Sequence, residues 1–102
     1  PTVILGEGNV ICTNAFIGPE AKLGSNNLIN TGSIVEHQVR IGNHCHLAPS
    51  STVAGKTSLK DFCFIGAGST IIDKLNVAEG TTLAAGAVLI KDVINNKIET
   101  KK

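Results

Sequence analysis

Three histidines, His37, His44 and His46, fall within a ten-residue stretch of a 102-residue chain. A neutral imidazole near pH 7 is a general base that needs no large pKa shift, so proton-transfer chemistry would be sought here first. Three histidines can also hold a metal ion. Their separations here are seven, two and nine residues, and His44 and His46, strung along one strand, do not readily converge on one ion. No metal site is expected. Gly66-Ala67-Gly68 leads to Ile71 where a dinucleotide fingerprint would need a third glycine, and neither a P-loop nor a G-x-S-x-G occurs. Lys56 and Lys74, spaced by 18 and in line with Gln38, are able to meet a phosphate but read more simply as a solvated edge. Cys12, Cys45 and Cys63 are odd in number and form no C-x-x-C. They read as small reduced core residues, which fits a cytoplasmic protein.

The elements that must position these residues follow from one pattern. Every sixth residue from Leu5 to Leu89 is Leu, Ile or Val: Leu5, Ile11, Ile17, Leu23, Ile29, Val35, Ile41, Leu47, Val53, Leu59, Ile65, Ile71, Val77, Leu83 and Leu89. A helix needs a 3.6 spacing and a strand a period of 2; six is a multiple of 2, so each hexad supplies one short strand and one corner. Four residues after each aliphatic stands a second inward position, mostly small: Ala15, Ala21, Ser33, Cys45, Ser51, Cys63 and Ala87 among them. Small side chains are expected where three faces of a narrow prism crowd together. Gly, Asn, Asp and Pro gather at the third and fourth places of the hexad, where corners need positive φ or a preset turn. Three hexads make a coil of 18 residues, so residues 5–94 form about five coils with parallel pairing between them. The expected fold is an all-β parallel β-helix over residues 1–94, followed by a tail at 95–102.

The last position of each hexad points outward and stacks into three columns. One reads Val10, Leu28, His46, Phe64, Thr82; another reads Phe16, Ile34, Thr52, Thr70, Val88; the third, polar one reads Lys22, Arg40, Ser58, Asn76 and then Ile94. Two adjoining columns with apolar residues suggest a covered contact between copies, and closed cyclic assembly is the economical way to cover them. A net charge of +1 argues against nucleic acid as a partner. No apolar run is long enough to span a membrane and no secretory leader is visible.

The segment Ile29-Asn-Thr-Gly-Ser-Ile-Val-Glu-His-Gln-Val-Arg-Ile-Gly-Asn-His-Cys-His-Leu-Ala-Pro-Ser-Ser-Thr-Val-Ala-Gly55, with Ile65-Gly-Ala-Gly-Ser and Leu83-Ala-Ala-Gly-Ala-Val-Leu-Ile-Lys-Asp-Val, resembles a known signature. It is that of the bacterial sialic-acid O-acetyltransferase and UDP-4-amino-sugar N-acetyltransferase family. The resemblance implies a left-handed winding, although the usual crossover rule favours the right hand. It also implies a homotrimer that binds acetyl-CoA between neighbouring subunits. By the same resemblance His37 is the catalytic base, Asn30 lies near the acceptor and Gln38 follows the base. His46 contacts acetyl-CoA, Gly55 offers a backbone N–H to the thioester oxygen, and Ala67 and Ala85 lie along the pantetheine channel. A glycine suits an oxyanion donor because the ligand can approach its backbone closely.

Gln38 stands where the family has Asp or Glu, and a neutral amide orients the ring while stabilising imidazolium less. The family's N-terminal nucleotide-sugar domain and its Gly-x-Pro-Ala ending are not among these 102 residues, so the acceptor site is expected to be missing from this chain even with the acetyl-CoA site intact. The expected function is an acetyl-CoA-dependent acetyltransferase core acting on an amine or hydroxyl of a sugar or nucleotide-sugar. The alternatives are a non-catalytic β-helix serving as an oligomerisation or scaffold module and, disfavoured by the histidine spacing, a metal-dependent hydratase.

Overall fold

The computed structural model describes residues 2–94 and the backbone of Ile98–Glu99. Two-residue strands start at Ile4–Leu5 and recur at every hexad to Val88–Leu89. Each pairs in parallel with the strand 18 residues away, as in Leu23 with Ile41 and Ile65 with Leu83. Three stacked sheets result, and among the described residues there is no helix. The first face carries Leu5, Leu23, Ile41, Leu59 and Val77; the second Ile11, Ile29, Leu47, Ile65 and Leu83; the third Ile17, Val35, Val53, Ile71 and Leu89.

The aliphatic series fills the axis of the prism and is buried from Leu23 onward. In the first coil Leu5 keeps 47% and Ile11 39% of its surface. The second inward position is buried from Ala21 to Val93, and several of its polar members hydrogen-bond upward to the backbone. The Ser33 hydroxyl donates to the Ala48 carbonyl at 2.9 Å, Thr57 to Ile72 at 2.9 Å and Ser69 to Ala84 at 2.6 Å. The Asn27 carboxamide bridges two coils, accepting from the Cys45 N–H and donating to the Gly42 carbonyl. No buried side-chain nitrogen or oxygen is left unpaired among the described residues. Ser33→Ala is expected to cost about 1–3 kcal/mol, since it removes the bond to Ala48 and takes from the buried Ser51 hydroxyl its partner 3.3 Å away. Urea unfolding monitored by circular dichroism would show it as a lower midpoint at unchanged slope.

Cys45 and Cys63 are buried and free; Cys12 is also free and half-buried. The Cys45 thiol donates to the Lys60 carbonyl, and its hydrogen bond with Cys63 together with burial pushes it well above the ordinary thiol range.

Corners close at the fourth place of every hexad, where φ is positive from Gly8 to Gly86. Nine of these residues are not glycine: Asn14, Glu20, Asn26, Gln38, His44, Ser50, Lys56, Phe62 and Lys74. A left-handed residue costs a side chain on the order of 1–3 kcal/mol unless its surroundings hold it there. Here the residue's N–H donates to a carbonyl one coil earlier, as from Gln38 to Pro19, His44 to Ser25 and Lys56 to His37.

The spacing of 18 fails at the end. Val93 bridges Val77, and Ile98–Glu99 runs parallel to Thr82–Leu83, both at a separation of 16. Ile94 therefore does not extend the Lys22–Asn76 column, and it is 84% exposed. A full lap would have set Asn95 over Val77, whereas the shorter one buries Val93. The expected tail at 95–102 lies outside the described residues, apart from the Ile98–Glu99 strand.

Candidate active site

The coil geometry sorts the candidate residues into two groups. His37 and Gln38 occupy the corner between the third and first faces, with Gly55 one coil above His37. The Gln38 side-chain oxygen lies 3.1 Å from Nδ1 of His37. In that arrangement Nδ1–H donates to the amide and Nε2 keeps its lone pair. The ring leans onto the next coil: a Cβ at Gly55 would sit 2.5 Å from Nε2, 2.8 Å from Cε1 and 3.0 Å from Cδ2. Gly55 has no positive φ, so the imidazole, rather than the backbone conformation, demands glycine. Gly55 is buried, and no protein acceptor among the described residues takes its N–H. The corner thus pairs an exposed imidazole base with an uncommitted backbone donor one coil away.

Asn30 and His46 form the second group, on the second face. Asn30 Nδ2 lies 3.3 Å from His46 Nε2, while its side-chain oxygen accepts the Thr31 N–H at 2.8 Å. His46 is half-buried and stands edge-on to Phe64, with ring centroids 5.0 Å apart. Ala67 and Ala85 are exposed at the adjoining corner between the second and third faces, where the chain stacks through the Gly86 N–H to the Ala67 carbonyl at 2.8 Å. In a triangular prism the corner bearing His37 lies opposite the second face bearing His46, and the principal extents are 34 × 23 × 21 Å. One copy therefore does not bring His37 and His46 together.

His44 joins neither group. It turns the corner between the first and second faces and stacks on Phe62, with centroids 4.9 Å apart and planes 14° from parallel. Among the described residues no three His, Cys, Asp or Glu side chains gather as a metal site. Sequence reading missed the aromatic stack, although the separation of 18 between His44 and Phe62 carries its signal. It also missed a shallow groove of about 390 Å³ on the first face, lined by Lys22, Arg40, Ser58, Lys60 and Asp61. The polar column was visible in the sequence, but its concavity was not.

Residues 20–55 match the family described as "Bacterial transferase hexapeptide (six repeats)". That match covers about a third of the chain, while the six-residue aliphatic repeat itself runs from Leu5 to Leu89. No curated protein sequence matches it. Among solved structures, this hexapeptide-repeat chain is similar to the acetyltransferase domain of PglB from Neisseria gonorrhoeae FA1090 in complex with acetyl coenzyme A. That similarity has 28% identity and a TM-score of 0.90, and covers 91% of this chain and 45% of that one. It is also similar to PerB from Caulobacter crescentus in complex with CoA and GDP-perosamine. There the identity is 26% and the TM-score 0.79, with 98% of this chain and 49% of that one covered. WeeI from Acinetobacter baumannii AYE, 24% identical with a TM-score of 0.79 over 90% of this chain and 49% of its own, shares the fold. The hexapeptide-repeat chain spans about half the length of these structures.

Proposed function

We propose that residues 1–94 form an acetyltransferase core that moves acetyl from acetyl-CoA to an amine or hydroxyl of a sugar or nucleotide-sugar. The observation that carries this reading is the His37–Gly55 corner, where an imidazole packs on a buried glycine whose N–H has no acceptor among the described residues. The similarity to PglB in complex with acetyl coenzyme A and to PerB in complex with CoA and GDP-perosamine supports it.

In this reading His37 Nε2 takes the proton of the acceptor nitrogen or oxygen as that atom attacks the thioester carbonyl. Nδ1–H, held by Gln38, fixes the tautomer throughout. The Gly55 N–H receives the oxygen as it becomes negative, a contribution of about 3–4 kcal/mol for one such donor in other acyl transfers. The resulting imidazolium returns the proton to the departing sulfur. Gln38, a neutral amide, holds the ring by a hydrogen bond alone and brings no charge to the site.

Because His37 and the Asn30–His46 pair lie on opposite sides of one prism, the complete site needs two copies. Apolar residues on the second and third faces favour such packing: Val10 is 54%, Phe16 50% and Phe64 40% exposed. A homotrimer would place the His37 corner of one subunit against the Ala67–Ala85 corner and second face of the next, with acetyl-CoA between them. A cytoplasmic site accords with the free thiols. Among the described residues no helix is long and apolar enough to cross a membrane.

Acetyl-CoA at about ten times its Kd should stabilise the protein by about 1.4 kcal/mol, a rise of several degrees in Tm. Thiol release should then require an amino- or hydroxy-sugar acceptor. No shift at millimolar acetyl-CoA would leave the second reading, an oligomerisation module without catalysis, which the neutral Gln38 favours.

A further inference from the structure

Gly55 is bracketed by two lysines. Lys56 follows it in the chain, and its N–H donates to the His37 carbonyl at 3.0 Å. Lys74, one coil higher, donates its own N–H to the Gly55 carbonyl at 3.0 Å. Both lysines turn the corner at positive φ, 63° and 62°, and both are exposed. Standing in one column, they rise from backbones about 4.8 Å apart, and like charges so placed repel. The proposed transfer to a sugar uses neither charge.

The corner does place one of these amines beside the reacting group. With the thioester oxygen of acetyl-CoA on the Gly55 N–H, the acetyl carbon is held next to position 55. Consecutive Cα atoms lie about 3.8 Å apart, and the flexible four-carbon stem of lysine spans more than that. The Lys56 amine can therefore meet the acetyl carbon without any change of backbone. An amine held against an acyl group reacts as if at very high concentration. In its neutral form Nζ attacks the carbonyl carbon, a C–N bond forms and the C–S bond to CoA breaks. His37 Nε2 takes the proton that Nζ sheds and passes it to the leaving sulfur, so the products are Nε-acetyllysine and free CoA. The modification removes one of the two stacked charges and with it their repulsion.

We infer that Lys56 is a self-acetylation site, modified when acetyl-CoA is bound and no sugar occupies the corner. The inference rests on the proposed transferase reading and gives it a second acceptor, within the chain itself. Lys22 and Lys60, which line the groove of the first face away from Gly55, serve as internal comparisons.

The test incubates the whole protein, in its native assembly, with acetyl-CoA and no sugar, and follows each lysine by peptide mass spectrometry. Lys56 should be acetylated at least about tenfold faster than Lys22 and Lys60, and excess CoA should suppress that difference. In His37→Ala the rate at Lys56 should fall at least about tenfold, and in the chain unfolded by urea the preference should vanish. Equal rates at the three lysines, no acetyl group on Lys56, or a preference that survives unfolding would overturn the inference. An unchanged rate in His37→Ala would overturn it too, because proximity without the base is ordinary chemical modification. Thermal stabilisation by acetyl-CoA is read on the same samples. Stabilisation with Lys56 unmodified sinks only this inference, whereas neither stabilisation nor modification sinks the transferase reading with it.

Discussion

His37→Ala should lower the rate of acetyl transfer by about 10²- to 10⁴-fold, the usual contribution of a positioned general base. The loss should appear in kcat. His37 is exposed at a corner and contributes nothing to the buried aliphatic column, so the melting temperature should hold. Because the ring acts on the acceptor's proton, acetyl-CoA should stabilise the variant as it stabilises the parent. Thiol release followed with a chromogenic reagent measures the first quantity, and thermal melting with and without acetyl-CoA the others. A variant that turns over at the parent rate removes His37 from the mechanism, whatever its surroundings.

Gly55→Ala tests the same corner from the other side and carries the next largest effect. The alanine Cβ would overlap the imidazole, 2.5 Å from Nε2, so the ring must swing away. An exposed side chain has room to do so, and the backbone at position 55 suits alanine; stability should change little. Catalysis should not escape, since a displacement of about 1 Å at a reacting group costs roughly 10²-fold. The decisive measurement is the double variant. Once His37 is alanine, adding Gly55→Ala should cost nothing more, because the two act through one contact. Independent, additive losses would mean that the added Cβ obstructs the oxygen's approach to the Gly55 N–H rather than displacing the ring.

The axis of this molecule was legible because its volume constraint recurs. Only aliphatic residues fill the inward place at each sixth position, and the small partners four residues later follow from the same crowding. Contacts between coils were less legible, although they share one number. His37 and Gly55, His44 and Phe62, and His46 and Phe64 are all separated by 18. The period puts each pair in one column, but whether two side chains touch depends on rotamers that a spacing does not encode. The grouping of the site residues was partly readable: the order of faces puts Asn30 with His46 and keeps His37 away. The slip at Val93 was hidden for another reason. Moving a strand by two residues keeps every side chain on its own side, so the inward pattern gives no warning. Only Asn95, polar where an aliphatic was due, marked the place.

That slip has a consequence for how far such a molecule can grow. Parallel rungs are templates for further rungs, and a prism with identical laps would invite fibres built end upon end. Closing the final lap two residues early, with the Asp92 carboxylate accepting the Asn76 N–H at 2.8 Å, offsets the upper rim from the repeat beneath it. An incoming copy that matched one face would miss the next. The offset at Val93 thus interrupts the template that a regular stack would present, and the lateral faces remain for the closed assembly proposed above.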